Sequence, residues 1–290
     1  MNIYPIVYYN DAFVPGNKIP FPFDDYGFLY GYGLFETVRV VNKTPILLDR
    51  HWSRLESSAI ILGIELTIDF ARVAAIANEL MNRNPISDHA ILNIYITPGD
   101  RPVGTNRIVM GKPMVLIVMR PHTRTKYNVG IHLGIRQESF QRIQLDQFKM
   151  LSYVKNILEK SLCDPYDDVL LFSETHAILE TPTANVFFVR GRTLFTPKSD
   201  FILPGVTRGF ILEKSTDFGF STVTTEIKLA DLNGFDEIFL TSSLKGIVKV
   251  DKIEKFDPLK SGQVTDEIET KYHLALDIPI LPKAPKYGPT

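Results

Sequence analysis

The chain has 290 residues, 44% apolar and 22% charged, with 32 basic against 33 acidic side chains and a formal net charge of −1. The length suits two domains rather than one small core, and the composition is that of a globular protein, not a disordered or fibrous one. Balanced charge gives nucleic acid no electrostatic footing. No apolar run reaches the roughly 20 residues that span a bilayer. No basic, apolar leader is expected at the N-terminus, and a single cysteine, Cys163, fits a reducing cytoplasm.

Ile6-Val7-Tyr8-Tyr9 and Ala12-Phe13-Val14 flank Asn10-Asp11 and predict a hairpin. A glycine-rich aromatic stretch, Phe23 to Thr37, leads into the strand Val38 to Val41. From Arg50 to Leu62 the apolar residues Trp52, Leu55, Ala59 and Leu62 recur at helical spacing. Asp69 is placed to cap a second helix over Phe70 to Met81. Ala90 to Ile96 and Met114 to Met119 read as strands, separated by a Gly-, Pro- and Arg-rich loop from Pro98 to Gly111. The basic, aperiodic stretch Arg120 to Asn128 reads as an interdomain connection, so the expected division is 1–120, a linker over 121–128, and 129–290. In the second part Val129 to Ile135, Val169 to Phe172, Asn185 to Val189 and Glu237 to Leu240 are strand-like. Lys149 to Leu162 and Gln263 to Leu276 are helix-like, and a proline-rich tail follows. Interleaved strands and helices give an α/β or α+β class.

Five features carry chemistry. Lys149 lies between Phe148 and Met150, and a lysine desolvated there has a lowered pKa and a free amine to attack a carbonyl. Taken singly it also reads as a lysine snorkelling over apolar neighbours. Glu180 offers an acid of the kind that keeps a pyridine nitrogen protonated, or is a solvated loop glutamate. Pro204-Gly205-Val206-Thr207 ahead of a helical run puts free N–H groups and a hydroxyl at a helix start, an anion site, and Thr241-Ser242-Ser243 after a strand offers a second such cluster. Arg54, on the first long helix, has the fork that holds a phosphate by two parallel bonds, though most helix arginines face solvent. G-x-S-x-G, Walker and H-E-x-x-H motifs are missing, and six scattered histidines with one cysteine do not make a zinc site.

The order of these segments is more specific than any one of them. Tyr26-Gly27-x-x-Tyr30-Gly31-x-Gly33-x-Phe35-Glu36 resembles the N-terminal signature of the class IV aminotransferases. His51-Trp52-Ser53-Arg54-Leu55, Phe148 to Tyr153, Glu180 to Phe188, Ile202 to Arg208 and Thr241 to Val248 resemble further segments of that family, in order. The resemblance implies a two-domain fold-type IV, D-amino-acid aminotransferase-like enzyme, with pyridoxal 5'-phosphate in the interdomain cleft, usually as a homodimer. It implies Lys149 as the Schiff-base lysine and proton carrier, Glu180 at the pyridine nitrogen, and Tyr153 beside the cofactor. Arg54, Gly205, Val206, Thr207, Ser242 and Ser243 would bind the phosphate side.

Branched-chain aminotransferases, D-amino-acid aminotransferases and 4-amino-4-deoxychorismate lyases share these parts. Asn93-Ile94-Tyr95-Ile96-Thr97 lacks the arginine-x-histidine pair of the D-amino-acid enzymes. Met150-Leu151 and Ser242-Ser243 depart from the glycine pair and Gly-Thr turn of the branched-chain enzymes, and Ser242-Ser243-Leu244-x-Gly246-Ile247 is closer to the lyases. Tyr30, Phe35 and Tyr95 fit an apolar substrate pocket. The leading expectation is amino transfer between a branched-chain or other apolar L-amino acid and a 2-keto acid, with release of pyruvate and 4-aminobenzoate as the alternative; a D-amino-acid transaminase or an inactive binding protein of this fold stands behind both. Arg50, Arg101 and Arg107 are open candidates for the substrate carboxylate.

Overall fold

The computed structural model describes residues 3–20, 22–100, 111–122, 130–139, 141, 143–256 and 262–279. Arg101 and Arg107, most of the expected linker and most of the proline-rich tail lie outside them. The chain divides into two compact units, Met1–Arg124 with Phe148–Tyr153, and Thr125–Gln147 with Val154–Thr290.

The first unit is built on an antiparallel sheet of β1 (Ile6–Tyr9), β2 (Ala12–Pro15), β3 (Leu34–Val41), β4 (Thr44–Pro45), β5 (His89–Thr97) and β6 (Met114–Pro121). Its order is β2-β1-β6-β5-β3-β4. The hairpin forms as its turn chemistry predicts: Tyr9 pairs with Ala12, and Asn10 takes a φ of 49°. A short helix, α1 (Tyr26–Tyr30), is capped by Asp25, whose carboxylate accepts from the Gly27 and Phe28 amides. Helices α2 (Leu48–Leu62) and α3 (Phe70–Arg83) cover one sheet face. Asp69 caps α3 by accepting from Arg72 N at 2.8 Å, as its position predicts. The strict alternation along β3 and β5 sends Leu34, Val38, Val40, Leu92, Ile94 and Ile96 into the core under Trp52, Leu55, Ile76 and Leu80. The opposite face carries Phe35, Thr37, Asn93 and Tyr95.

The second unit holds a seven-stranded mixed sheet of β7 (Ile131–Gln137), β8 (Asp168–Phe172), β9 (Asn185–Arg190), β10 (Thr193–Pro197), β11 (Ser221–Thr225), β12 (Glu237–Ser242) and β13 (Gly246–Ile253). Its order is β11-β10-β9-β12-β13-β7-β8. Helices α4 (Val154–Ser161), α5 (Val206–Lys214) and α6 (Gln263–Ala275) accompany it. Glu237, buried at the start of β12, accepts from the Val264 and Thr265 amides and from the Thr265 hydroxyl, which fixes the first turn of α6. One sheet face is packed by Leu133, Leu170, Val186, Phe188, Ile238 and Leu240.

The helix expected from Lys149 begins instead at Val154. Lys149 to Ser152 run alongside β3, with Met150 bridged to Leu34, and their backbone groups bond to Gly31, Gly33 and Phe35. That pairing takes the donors and acceptors a helix would need. It also groups the lysine segment with the first unit, whereas the chain order suggested the second.

Candidate active site

In the first unit the candidate residues are set by β3. Phe35 and Glu36 are adjacent, so their side chains leave opposite sheet faces. On the Phe35 side, the Lys149 Nζ stands 4.4 Å from the Phe35 ring centroid and 5.2 Å from that of Tyr153. Tyr95 stacks on Phe35 at 6.3 Å, and Tyr153 meets Phe35 edge-on at 5.4 Å. The amine therefore sits against an aromatic wall. Its backbone is pinned by the Phe35 N–H donating to Lys149 O at 2.9 Å and the Leu151 N–H donating to Gly33 O at 2.9 Å. A Cβ at Gly33 would lie 2.7 Å from Leu151 Cδ1 and 2.8 Å from Ile96 O, so glycine is what lets the lysine segment close on the sheet. Tyr30, also expected in the pocket, sits on α1 with its ring 5.5 Å from Tyr26 and more than half of its surface exposed.

On the other face Glu36 is buried and accepts from Arg54 twice, Nε to Oε1 at 2.8 Å and Nη2 to Oε2 at 2.7 Å. His51 Nδ1 lies 2.7 Å from the same carboxylate. Burial alone would raise the Glu36 carboxyl, but the Arg54 charge and the His51 hydrogen bond outweigh it and hold the group at about 2. Arg54 is thus a fixed cation rather than a mobile helix arginine. The signal for Glu36 was present in the sequence: a charged residue between the core positions Leu34 and Val38 needs a buried partner, and His51 and Arg54 share one face of α2.

The second unit, taken by itself, carries the remaining candidate residues. Glu180 is buried, with Oε2 accepting from Asn185 Nδ2 at 2.9 Å and Oε1 from Leu203 N at 3.3 Å. Asn185 also donates to Leu203 O at 2.9 Å, tying the acid to the segment that enters α5. Gly205 is the N-cap of α5 and brings no side-chain cap, which leaves the first-turn N–H groups of Val206 and Thr207 outside any side-chain cap. A Cβ at Gly205 would lie 1.9 Å from Asn185 Oδ1. Thr207 is buried in that first turn. Burial lowers the Arg208 pKa while the nearby Glu180 charge raises it; its guanidinium bonds Thr196 Oγ1 and Pro197 O at 3.0 Å each. Ser242 closes β12, with its hydroxyl 3.4 Å from Lys245 N, and Ser243 follows in the turn.

The first unit offers an amine on an aromatic wall and a clamped guanidinium, and the second, taken by itself, offers a buried acid and an open helix start; each is of a kind that would hold part of pyridoxal 5'-phosphate. The buried Thr241 hydroxyl has no hydrogen-bond partner among the described residues. Among the described residues no cluster of His, Cys, Asp and Glu is suited to a metal ion, and no helix is long and apolar enough to cross a membrane.

The two-sheet fold is that of the fold-type IV pyridoxal phosphate enzymes. Residues 33–253 match the model of amino-transferase class IV, and the chain belongs to that family. It is similar to an aminodeoxychorismate lyase of Bacillus subtilis, 33% identical over 261 residues, covering 87% of each chain. It is also similar to a putative branched-chain-amino-acid aminotransferase of Methanocaldococcus jannaschii, 26% identical over 92% of this chain and 94% of that protein. Among solved structures, a branched-chain aminotransferase of Thermoproteus uzoniensis superposes with a TM-score of 0.84 at 21% identity, over 95% of this chain and 96% of that one. A putative 4-amino-4-deoxychorismate lyase of Legionella pneumophila gives 0.80 at 25%, over 89% and 96%. The chain is a pyridoxal phosphate-dependent enzyme, as the order of its motifs implied.

Proposed function

We propose that the chain is a 4-amino-4-deoxychorismate lyase, releasing pyruvate and 4-aminobenzoate. The observation that carries this reading is the 33% identity to a lyase over 87% of both chains. It reverses the order expected from the sequence, where amino transfer came first. The aromatic wall supports it: Phe35, Tyr95 and Tyr153 around an amine suit a flat unsaturated ring.

The bound cofactor supplies the electron sink. Lys149 Nζ, held against Phe35, takes the proton from the ring carbon that bears the substrate amine. The ether bond to the enolpyruvyl group then breaks, the ring becomes aromatic, and the proton is returned to the departing three-carbon unit, which leaves as pyruvate. Substrate atoms are conserved between the two products. Glu180, fixed by Asn185, would hold the pyridine nitrogen of the cofactor and keep it protonated. Arg54, clamped by Glu36, and the first turn of α5 are the groups that would anchor the cofactor phosphate and so position it for Lys149.

Amino transfer is the second reading, favoured by aminotransferase relatives that cover 92% of the chain. Purified enzyme given aminodeoxychorismate should release pyruvate, read by a coupled lactate dehydrogenase. L-leucine with 2-ketoglutarate should give little glutamate. Fast transfer without pyruvate release would make the chain an aminotransferase.

The enzyme is read as a cytoplasmic homodimer. Val154, Ile157 and Leu158 on α4 and Leu162 beyond it form an exposed apolar stripe at helical spacing, which a second copy would cover. Light scattering should report twice the chain mass of 32.9 kDa, and the monomer mass at micromolar concentration would contradict it.

A further inference from the structure

Arg208 stands in the first turn of α5, and its guanidinium donates to two neutral acceptors, Nε to Thr196 Oγ1 and Nη2 to Pro197 O, each at 3.0 Å. Thr196 is fully buried and carries the tether on, its hydroxyl donating to Val186 O at 2.9 Å. A guanidinium keeps its charge at any working pH, and neutral acceptors fix it in place without compensating it. A charge taken partly out of water needs an opposite charge close by.

The acid in reach is Glu180. Val186 follows Asn185, whose amide donates to Glu180 Oε2 and to Leu203 O at 2.9 Å each, while Leu203 N donates to Glu180 Oε1 at 3.3 Å. On the helix side, a Cβ at Gly205 would meet Asn185 Oδ1 at 1.9 Å and Arg208 Cβ at 3.5 Å, so the base of the arginine stem lies beside the amide that grips the acid. Arg208 and Glu180 are thus held in one frame, made of β9, β10 and the start of α5. The two charges act on each other: burial lowers the Arg208 pKa, and the Glu180 charge raises it. The attraction is mutual, so it also favours the ionised form of Glu180. The hydrogen bonds from Asn185 and Leu203 set where the carboxylate points; the guanidinium sets how firmly it stays charged.

We propose that Arg208 is a positioning residue for the reaction: fixed on Thr196 and Pro197, its guanidinium keeps Glu180 ionised, so that the proton shared between Glu180 and the pyridine nitrogen of the cofactor stays on nitrogen. This rests on the reading of Glu180 as the acid at that nitrogen. A neutral residue at position 208 lets the proton pass to the carboxylate, and an unprotonated ring is the weaker electron sink. Lysine keeps the charge but not the planar fork.

The test loads the parent, Arg208→Gln, Arg208→Lys and Glu180→Gln with pyridoxal 5'-phosphate isotopically labelled at the ring nitrogen. Nitrogen NMR then distinguishes the protonated from the unprotonated ring. Arg208→Gln should shift that balance toward the unprotonated ring roughly 10-fold, the weight of one pKa unit at the neighbouring acid. Arg208→Lys should keep the parent's signal. A parent-like signal in Arg208→Gln would overturn the proposal. So would an equal change in the glutamine and lysine variants, which marks the hydrogen bonds to Thr196 and Pro197 rather than the charge. Glu180→Gln separates the two failures. If it too keeps the parent's signal, the reading of Glu180 at the nitrogen is wrong; if it alone changes the signal, only the role of Arg208 falls. Should Arg208→Gln fail to fold, the parent apoprotein decides. Its Glu180 carboxyl, read by carbon NMR and assigned by its loss in Glu180→Gln, should stay ionised at about pH 4.3, where an ordinary glutamate is half protonated. Half-protonation or more at that pH would overturn the proposal.

Discussion

Lys149→Ala is expected to remove the visible absorbance of the bound cofactor and to cut turnover by at least about 10³-fold, within the range that positioned proton transfer contributes. The fold should survive. The bonds that seat the segment run through the backbone, from Phe35 N to Lys149 O and from Leu151 N to Gly33 O, and alanine keeps both. The lost contacts are the approaches of Nζ to the Phe35 and Tyr153 rings, each about 0.5–1 kcal/mol at a partly exposed site. Rate, spectrum and melting temperature measured together separate chemistry from folding. Full turnover in the variant would remove Lys149 from the mechanism.

Glu36→Ala should produce the largest loss of stability among the site variants. It leaves Arg54, whose side chain is 11% exposed, and the buried His51 without their shared carboxylate. Breaking a buried pair by removing one partner costs about 3–5 kcal/mol. The acid side of the stability profile should change with it. Glu36 is held at about 2, below its ordinary 4.5, so its contribution is fully present above about 4.5 and is lost as pH falls toward 2. Urea unfolding of the parent should weaken across that window, and the variant should show a flatter slope there. Equal stability of the two proteins at pH 7 would show that the Arg54 clamp is not structural. Glu36→Gln, which keeps the shape and one acceptor, should fall between them.

Where periodicity was strong, the elements stand where the sequence puts them. The Arg50 to Leu62 pattern became α2 and the run after Asp69 became α3, because one apolar stripe on each had a sheet face to cover. Lys149 to Tyr153 went the other way. Lys149 to Leu162 read as one helix, but Lys149 to Ser152 pair with β3 and its glycine approach instead. That partner lies more than a hundred residues earlier and leaves no local signal. β11 was missed for another reason: Ser221-Thr222-Val223-Thr224-Thr225 has β-branched character but little apolar alternation, as befits an edge strand paired on one side only. In the site, the helix start at Gly205 and the acid at Glu180 were legible as types of residue in order. The pairing of Glu36 with Arg54 and His51 was not singled out, since its meaning depends on what packs against it.

The most direct test of the account is borohydride reduction of the enzyme loaded with pyridoxal 5'-phosphate, followed by peptide mapping. Reduction fixes the cofactor to whichever lysine holds it. The account predicts a single pyridoxyl-modified peptide carrying Lys149. Modification of a different lysine, or of none, would contradict it.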